Sequence, residues 1–191
     1  MLVGPMRLVR AIPALLGALL GLLVLVPRLQ ADPQISALQV TLDGQRALVS
    51  LRLDEAFDRR LSDRLESGLP TTILYRFELS RDRKRWYDSR MDTATLEATA
   101  VHDAVARAYT VHFKLDGELI DSRTVRERKE LEEAMTRIER LPVFNLEGVK
   151  TTRRILVRAR AELGSRTILS FIPVALNTDW EESNKFRRPR P

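Results

Sequence analysis

The sequence predicts the α+β class: an antiparallel β-sheet or sandwich of six or more strands with two amphipathic helices, preceded by an N-terminal signal or anchor helix. Three observations support this prediction. Apolar and polar residues alternate in several separate segments, two Asp-Gly pairs follow such segments, and two further segments carry apolar residues at helical spacing. Because residues 32–186 contain no repeat and no Gly- or Ser-rich linker, we expect one domain there.

The first elements are a hairpin and a short helix. Alternation over residues 35–53 is interrupted by Asp43-Gly44. This pair predicts a two-residue turn, because both central positions need a positive φ. The period then becomes helical up to residue 67, with Asp54 as the predicted N-cap and Gly68 as the C-terminal stop.

The middle of the chain returns to the strand period. Strands are predicted at residues 73–79, 96–101 and 109–115, and Asp116-Gly117 predicts a second hairpin turn. Basic and aromatic residues at 81–87 are interpreted as a turn with a packed Trp rather than as a nucleic-acid contact.

A second helix is predicted after residue 123. Thr124 and Glu127 have the spacing of a capping box, and Pro142 is expected to end the helix. Its apolar face is formed by Leu131, Ala134, Met135, Ile138 and Leu141.

The last third of the domain holds the candidate binding residues. A strand is predicted at 155–163, and an apolar run at 168–176, interrupted by Pro173, predicts an edge strand or a bent segment. One face of the first strand is a candidate anion-contact face, or else a solvated face paired with acids; it consists of Arg154, Arg158 and Arg160. The apolar run is a candidate partner surface, with core or edge packing as the alternative; its residues are Ile168, Phe171, Ile172 and Trp180.

The two ends differ in composition from the body. Residues 1–31 carry three arginines and no acid, and 16 uncharged residues at 11–26 span roughly 24 Å as a helix, short of a bilayer core. We expect a signal peptide, cleaved after Ala31 or retained as an anchor. Both outcomes place residues 32–191 in the periplasm or on the outer face of the cytoplasmic membrane, with membrane contact only if the segment is uncleaved. Residues 187–191 are expected to form a disordered basic tail.

Composition excludes several functional classes. The net charge of +6 belongs to the two ends, because residues 32–184 hold 25 basic and 26 acidic side chains, so no nucleic-acid partner is expected. Without cysteine the chain forms no disulfide scaffold and no thiol nucleophile. His102 and His112 have no metal-ligand spacing, and no nucleotide-binding glycine pattern is present. We therefore predict no catalytic residue, no metal and no cofactor, and we expect a protein that is not an enzyme.

Several framework segments occur in a familiar order. They are Glu66-Ser-Gly-Leu-Pro70, the strand at 73–79, Tyr109-Thr-Val-His-Phe113, Leu141-Pro142, Leu156-Val-Arg-Ala159 and Asp179-Trp180. This order resembles the bacterial domain-of-unknown-function family DUF4390 and covers most of residues 32–186. The resemblance implies an envelope protein without an assigned activity, and a membrane sensor histidine kinase as a candidate partner.

Three functions remain as hypotheses. The first is a non-catalytic module that binds a membrane or periplasmic protein. The second is a carrier or sensor of a small apolar or lipidic ligand, which needs an internal cavity. The third is an envelope hydrolase with His102 as its base.

Overall fold

The computed structural model describes residues 32–82, 89–149, 153–168 and 172–188. The predicted signal segment and residues 189–191 of the predicted tail lie outside this part of the chain. The elements are β1 (Gln34–Asp43), β2 (Arg46–Asp54), α1 (Arg59–Glu66), β3 (Thr71–Arg81), β4 (Ser89–Asp103), β5 (Ala108–Leu115), β6 (Glu118–Val125), α2 (Arg128–Thr136), β7 (Arg137–Asn145), β8 (Ile155–Ile168), β9 (Ile172–Asn177) and β10 (Glu181–Glu182).

The strands form two antiparallel sheets around one core. The small sheet has the order β1-β2-β7, and the large sheet has the order β10-β8-β3-β4-β5-β6, with β9 paired to β8. Buried side chains of both sheets and of both helices form one hydrophobic cluster, which includes Val49, Leu65, Tyr75 and Leu131. The prediction of an α+β fold with a mostly antiparallel sheet is therefore confirmed.

Both predicted hairpins form, the second with its turn at the predicted residues and the first with its turn displaced by one residue. Asp116 and Gly117 have φ values of +49° and +88° and connect β5 to β6, as the sequence predicts. In the first hairpin Asp43 instead pairs with Arg46 as the last residue of β1. The central positions are Gly44 and Gln45, of which only Gly44 has a positive φ, so this turn lies one residue later than predicted.

The helix α1 begins at a different cap from the predicted one. The Oδ1 atom of Asp58 accepts a hydrogen bond from the Leu61 backbone N–H at 2.7 Å. Asp54 instead ends β2, where its carboxylate accepts a hydrogen bond from the Ser36 hydroxyl at 2.6 Å. The predicted stop is confirmed, because Gly68 has a φ of +77° and its N–H reaches the Leu65 carbonyl in a Schellman arrangement.

Asp58→Ala is expected to lower the free energy of unfolding by about 1 kcal/mol, because it leaves an N–H at the helix start without its acceptor. Asp58→Asn retains a capping oxygen and is the matched control. Urea titration of the three proteins measures the difference. Equal stabilities of all three would show that solvent replaces the cap.

The segment after β6 contains the main error of the sequence prediction. Thr124 lies inside β6 opposite Thr110, and the N-cap residue Glu127 makes no side-chain cap hydrogen bond, so there is no capping box. The helix α2 ends at Thr136, whereas Ile138, Leu141 and Pro142 belong to β7.

A β-bulge explains why β7 has a helical pattern. Two positions of β2, Leu51 and Val49, lie opposite Ile138 and Leu141 of β7, which are three residues apart. The extra residue on β7 converts the strand spacing of two into the spacing of three that is typical of helices. Pairing with β2 therefore determines the structure of this segment.

Candidate functional site

One lateral side of the sandwich is closed by the C-terminal segment. Next to β10, the Asn184 side chain bonds the backbone of β1 in both directions: its Oδ1 accepts from the Val40 N–H at 2.7 Å, and its Nδ2 donates to the Val40 carbonyl at 3.1 Å. This amide therefore connects the outer edge of the small sheet to the C-terminal edge of the large sheet.

Buried hydroxyl groups hold the same segment on β8. The Thr178 Oγ1 accepts from the Ala161 N–H at 2.9 Å, and the Ser183 Oγ accepts from the Val157 N–H at 3.0 Å. The backbone N–H groups of Thr178 and Ser183 donate to the carbonyls of the same two β8 residues at 2.9 Å each. The hydroxyls thus take the place of backbone acceptors where the segment is too irregular to form a continuous strand.

The opposite lateral side is open. The last strand of the large sheet is β6, the outer strand of the small sheet is β7, and α2 joins them directly along the chain. Between β6 and β7 lies a cavity of about 330 Å³, which we call the β6–β7 groove. Its lining consists of Leu96, Phe113, Leu115, Ile120, Asp121, Arg123, Ala134, Arg137, Ile138, Glu139, Arg140, Leu141 and Pro142.

The floor of the groove is apolar, and its β6 rim exposes an apolar side chain. Leu96, Phe113 and Ile138 are buried core residues whose surfaces reach the groove. On β6, Ile120 lines the groove and is 45% exposed, and the adjacent Leu119, opposite Lys114 and outside the lining, is 61% exposed. Exposed large apolar residues beside an apolar depression are typical of an interaction surface.

Four of the five charged side chains described in the groove lining form ion pairs, and the fifth is Arg140. The Arg123 Nε atom lies 2.7 Å from the Asp121 carboxylate, and its guanidinium lies 5.2 Å from the centre of the Phe113 ring. Arg137 bonds Glu133 at 3.0 Å and Glu139 at 2.7 Å, and the Glu133 hydrogen bond raises the pKa of Arg137 most. These pairs balance the charge around the groove.

Trp180 of the predicted partner surface lies on the large sheet beside two predicted anion-contact residues. The Trp180 ring is half-buried, with the guanidinium carbons of Arg158 and Arg160 at 5.4 Å and 5.0 Å from its centre. Cation–π contacts of this kind hold both arginines against the indole. Arg154 lies before β8, is exposed, and accepts the Asp82 N–H at its backbone carbonyl.

The two β8 arginines also contact carboxylates. Arg158 lies 3.5 Å from Glu182, and Arg160 lies 2.8 Å from Glu162, which bonds Arg76 at 2.6 Å. The hydrogen bond from Arg76 is the main cause that lowers the pKa of Glu162. This arrangement fits the alternative interpretation of a strand face paired with acids.

Two other predicted partner residues, Ile168 and Ile172, lie at the end of β8 and the start of β9. Ile168 pairs with Ile172 at the β8–β9 connection. Phe171 and the segment 83–88, which holds the predicted Trp turn, lie outside the described residues. The edge-strand interpretation of the apolar run agrees with β9, where Pro173 lies opposite Thr167.

The two histidines occupy different environments. The His102 ring stacks on Tyr109 with centroids 4.6 Å apart, and its Nδ1 is buried without a hydrogen-bond partner among the described residues. His112 is the histidine that contacts a serine, because its Nδ1 lies 3.1 Å from the Ser122 Oγ on the exposed sheet face. The sequence hypothesis selected His102 as the base, so this contact was not anticipated.

A second depression, of about 960 Å³, lies between α1, the start of β3 and β8. Charged and polar side chains line much of it, including Arg60, Asp63 and Arg64, and the Arg64 Nε donates to the Pro70 carbonyl at 3.1 Å. Its lining is more polar than that of the β6–β7 groove.

Comparison with known families confirms the resemblance seen in the sequence. The model of the family described as "Domain of unknown function (DUF4390)" matches residues 30–184. The chain belongs to the DUF4390 family. No curated protein and no solved structure matches the chain.

Two absences apply to the described part of this DUF4390 protein. None of its helices there is long and apolar enough to cross a membrane. No cluster of three or more His, Asp or Glu residues there is arranged to hold a metal ion.

Proposed function

We propose that this DUF4390 domain is a non-catalytic module of the cell envelope that binds a protein partner through the β6–β7 groove. The observation that carries the proposal is the asymmetry of the sandwich. The C-terminal segment closes one lateral side, whereas the other presents an apolar floor with Ile120 exposed at its rim. A soluble domain that leaves large apolar side chains at such an opening gains by covering them with a partner.

The chemistry of the groove supports binding rather than catalysis. Among the described residues, its carboxylates Asp121 and Glu139 each form an ion pair with an arginine, and no histidine or serine lines it. A general base needs an unpaired, positioned group with a suitable pKa. The apolar floor supplies contact area for a partner side chain instead.

The location forms part of the same proposal. The basic start and the 16 uncharged residues at 11–26 support export, which would place residues 32–191 outside the cytoplasm. A partner is then a periplasmic protein or the outer part of a membrane protein. The family resemblance makes a membrane sensor histidine kinase the first to test.

Site-specific crosslinking tests the groove as the contact surface, because the chain has no native cysteine. Ile120→Cys in the full-length protein is expected to crosslink one specific envelope protein in intact cells. Thr93 is exposed on the opposite face of the large sheet, so Thr93→Cys is the matched control. It is expected not to crosslink that protein. The captured protein is identified by mass spectrometry and purified.

Direct binding then completes the test. The purified partner is expected to bind the unmodified domain and to lose at least about tenfold in affinity for Ile120→Asp, because a carboxylate would be desolvated against the apolar floor. Arg46→Asp, on β2 of the small sheet, is expected to bind normally. Equal crosslinking from both cysteine variants, or full affinity of Ile120→Asp, would contradict the proposal.

The cavity itself favours a second candidate function, that of a carrier for a small apolar ligand. Its volume of about 330 Å³ lies near the lower end of the range of small-molecule sites, roughly 300–1,000 Å³. Native mass spectrometry of the protein purified from envelopes distinguishes the two. A small molecule bound at unit stoichiometry and lost on Ala134→Trp, which fills the groove, would favour the carrier.

A further inference from the structure

We propose that the domain forms a two-fold homodimer in which the β6 strands of two copies pair antiparallel around Ser122. In the described part of the chain β6 pairs with β5 on one side only, so its outer edge is free to accept a strand. The exposed side chains of Leu119 and Ile120 lie on this edge. Pairing with a second copy would cover both.

The other sheet edges are less suited to strand addition. On β7, Pro142 has no N–H to donate, and Arg140 has a φ of +49° within the register shift between Ile138 and Leu141. On the opposite side of the sandwich, Asn184 bonds both backbone groups of Val40 in β1. On β9, Pro173 likewise has no N–H to donate to an added strand. The outer edge of β6 carries neither a proline nor a bond from the C-terminal segment.

Symmetry limits how two β6 strands can pair. A two-fold axis perpendicular to the sheet keeps the groove-side residues of both copies on one face. Residues that lie directly opposite each other must then face the same side of the sheet. The axis therefore lies midway between the two copies of one central residue, which is opposite itself. The central choices are Asp121, Ser122 and Arg123.

Charge selects one of these three registers. An axis at Asp121 places the two Asp121 carboxylates directly opposite each other, and an axis at Arg123 does the same with two guanidinium groups. The axis at Ser122 instead places Asp121 of each copy opposite Arg123 of its partner, twice, on the groove side where both residues lie. Of these three registers, the one at Ser122 alone makes the β6 edge self-complementary.

The dimer brings the two grooves together. Pairing at β6 makes one continuous sheet whose groove-side faces point in the same direction, so the two β6–β7 grooves lie on either side of the axis. The two proposals share the β6 rim, because Ile120 lines the groove and lies two residues from the axis. A crosslink from Ile120→Cys to a second copy would support the dimer, whereas a crosslink to another envelope protein would support the partner proposal.

Two opposite charge variants test the register. Asp121→Arg gives a chain with arginine at both positions 121 and 123, and Arg123→Asp gives a chain with aspartate at both. Each is expected to weaken its own dimer roughly tenfold to a hundredfold, because both cross-strand pairs become like-charged. In a mixed dimer of the two variants, both cross-strand pairs again join opposite charges. A variant that were monomeric for a reason within its own chain would not regain the dimer in this way. Arg46→Asp is the matched charge-reversal control.

The full-length chain is expressed, and the purified protein is measured by sedimentation equilibrium. A mixture of the two variants, which carry different tags, is then measured by native mass spectrometry. We expect dimers for the unmodified protein and the control, monomers for each variant alone, and heterodimers in the mixture. Circular dichroism checks that the variants are folded. A monomeric unmodified protein, or folded variants that remain dimeric, would overturn the proposal. A mixture that stays monomeric would overturn the Ser122 register.

Discussion

Removing the buried hydroxyls of the C-terminal segment with Thr178→Val and Ser183→Ala is expected to lower the free energy of unfolding by about 2–6 kcal/mol. Each hydroxyl is the acceptor for a β8 backbone N–H, on Ala161 and on Val157. A buried donor that loses its only acceptor costs about 1–3 kcal/mol, and the two sites have no shared partner. Urea titration of the double variant against the unmodified protein measures the sum.

The matched control exchanges the two hydroxyl residues. Thr178→Ser with Ser183→Thr retains both oxygens and changes only methyl groups. Its loss in the free energy of unfolding should therefore be well below that of the hydroxyl-free double variant. If the hydroxyl-free variant unfolds at the same urea concentration as the control, water has replaced the hydroxyls. The C-terminal segment would then be opened more easily than its buried contacts indicate.

Strands with a regular period could be predicted from the sequence because nothing interrupts their alternation. The predicted segment at 73–79 lies inside β3, and the one at 155–163 lies inside β8. Gly68 and Asp116-Gly117 were also predicted, because the required positive φ depends only on the local residues. These features are determined within a few positions along the chain.

Features that depend on distant contacts were not predicted. The bulge in β7 exists because β2 lies beside it, and its sequence spacing is that of a helix. The cap of α1 could have been found by moving the helix start to Asp58, three residues before the Leu61 N–H. The candidate site was missed for the same reason as β7: it lies between two strand edges, and a sequence does not show which edges remain unpaired.

Tyr75→Phe is the second change with a large expected effect, a loss of about 1–3 kcal/mol in the free energy of unfolding. The fully buried Tyr75 hydroxyl donates to the Met135 carbonyl at 2.7 Å, in the last turn of α2. Carbonyl groups in the last turn of a helix have no partner within the helix. Phenylalanine fills the same space and leaves this carbonyl unpaired, so the connection between β3 and α2 is lost without a large cavity.

The same residue gives a test in alkaline solution. Burial raises the pKa of Tyr75 far above its usual value, so the folded protein retains the phenolic proton while the unfolded chain releases it above about pH 10. The stabilising contribution of Tyr75 is therefore complete below that pH and decreases as the pH rises further, by about 1.4 kcal/mol per pH unit. The stability difference between the unmodified protein and Tyr75→Phe should shrink from pH 9 to about pH 11 in urea titrations.

Tyr109→Phe, which changes a half-buried ring stacked on His102, is the control. A difference that stays constant with pH would show that Tyr75 ionises equally in both states, and that its hydroxyl reaches solvent.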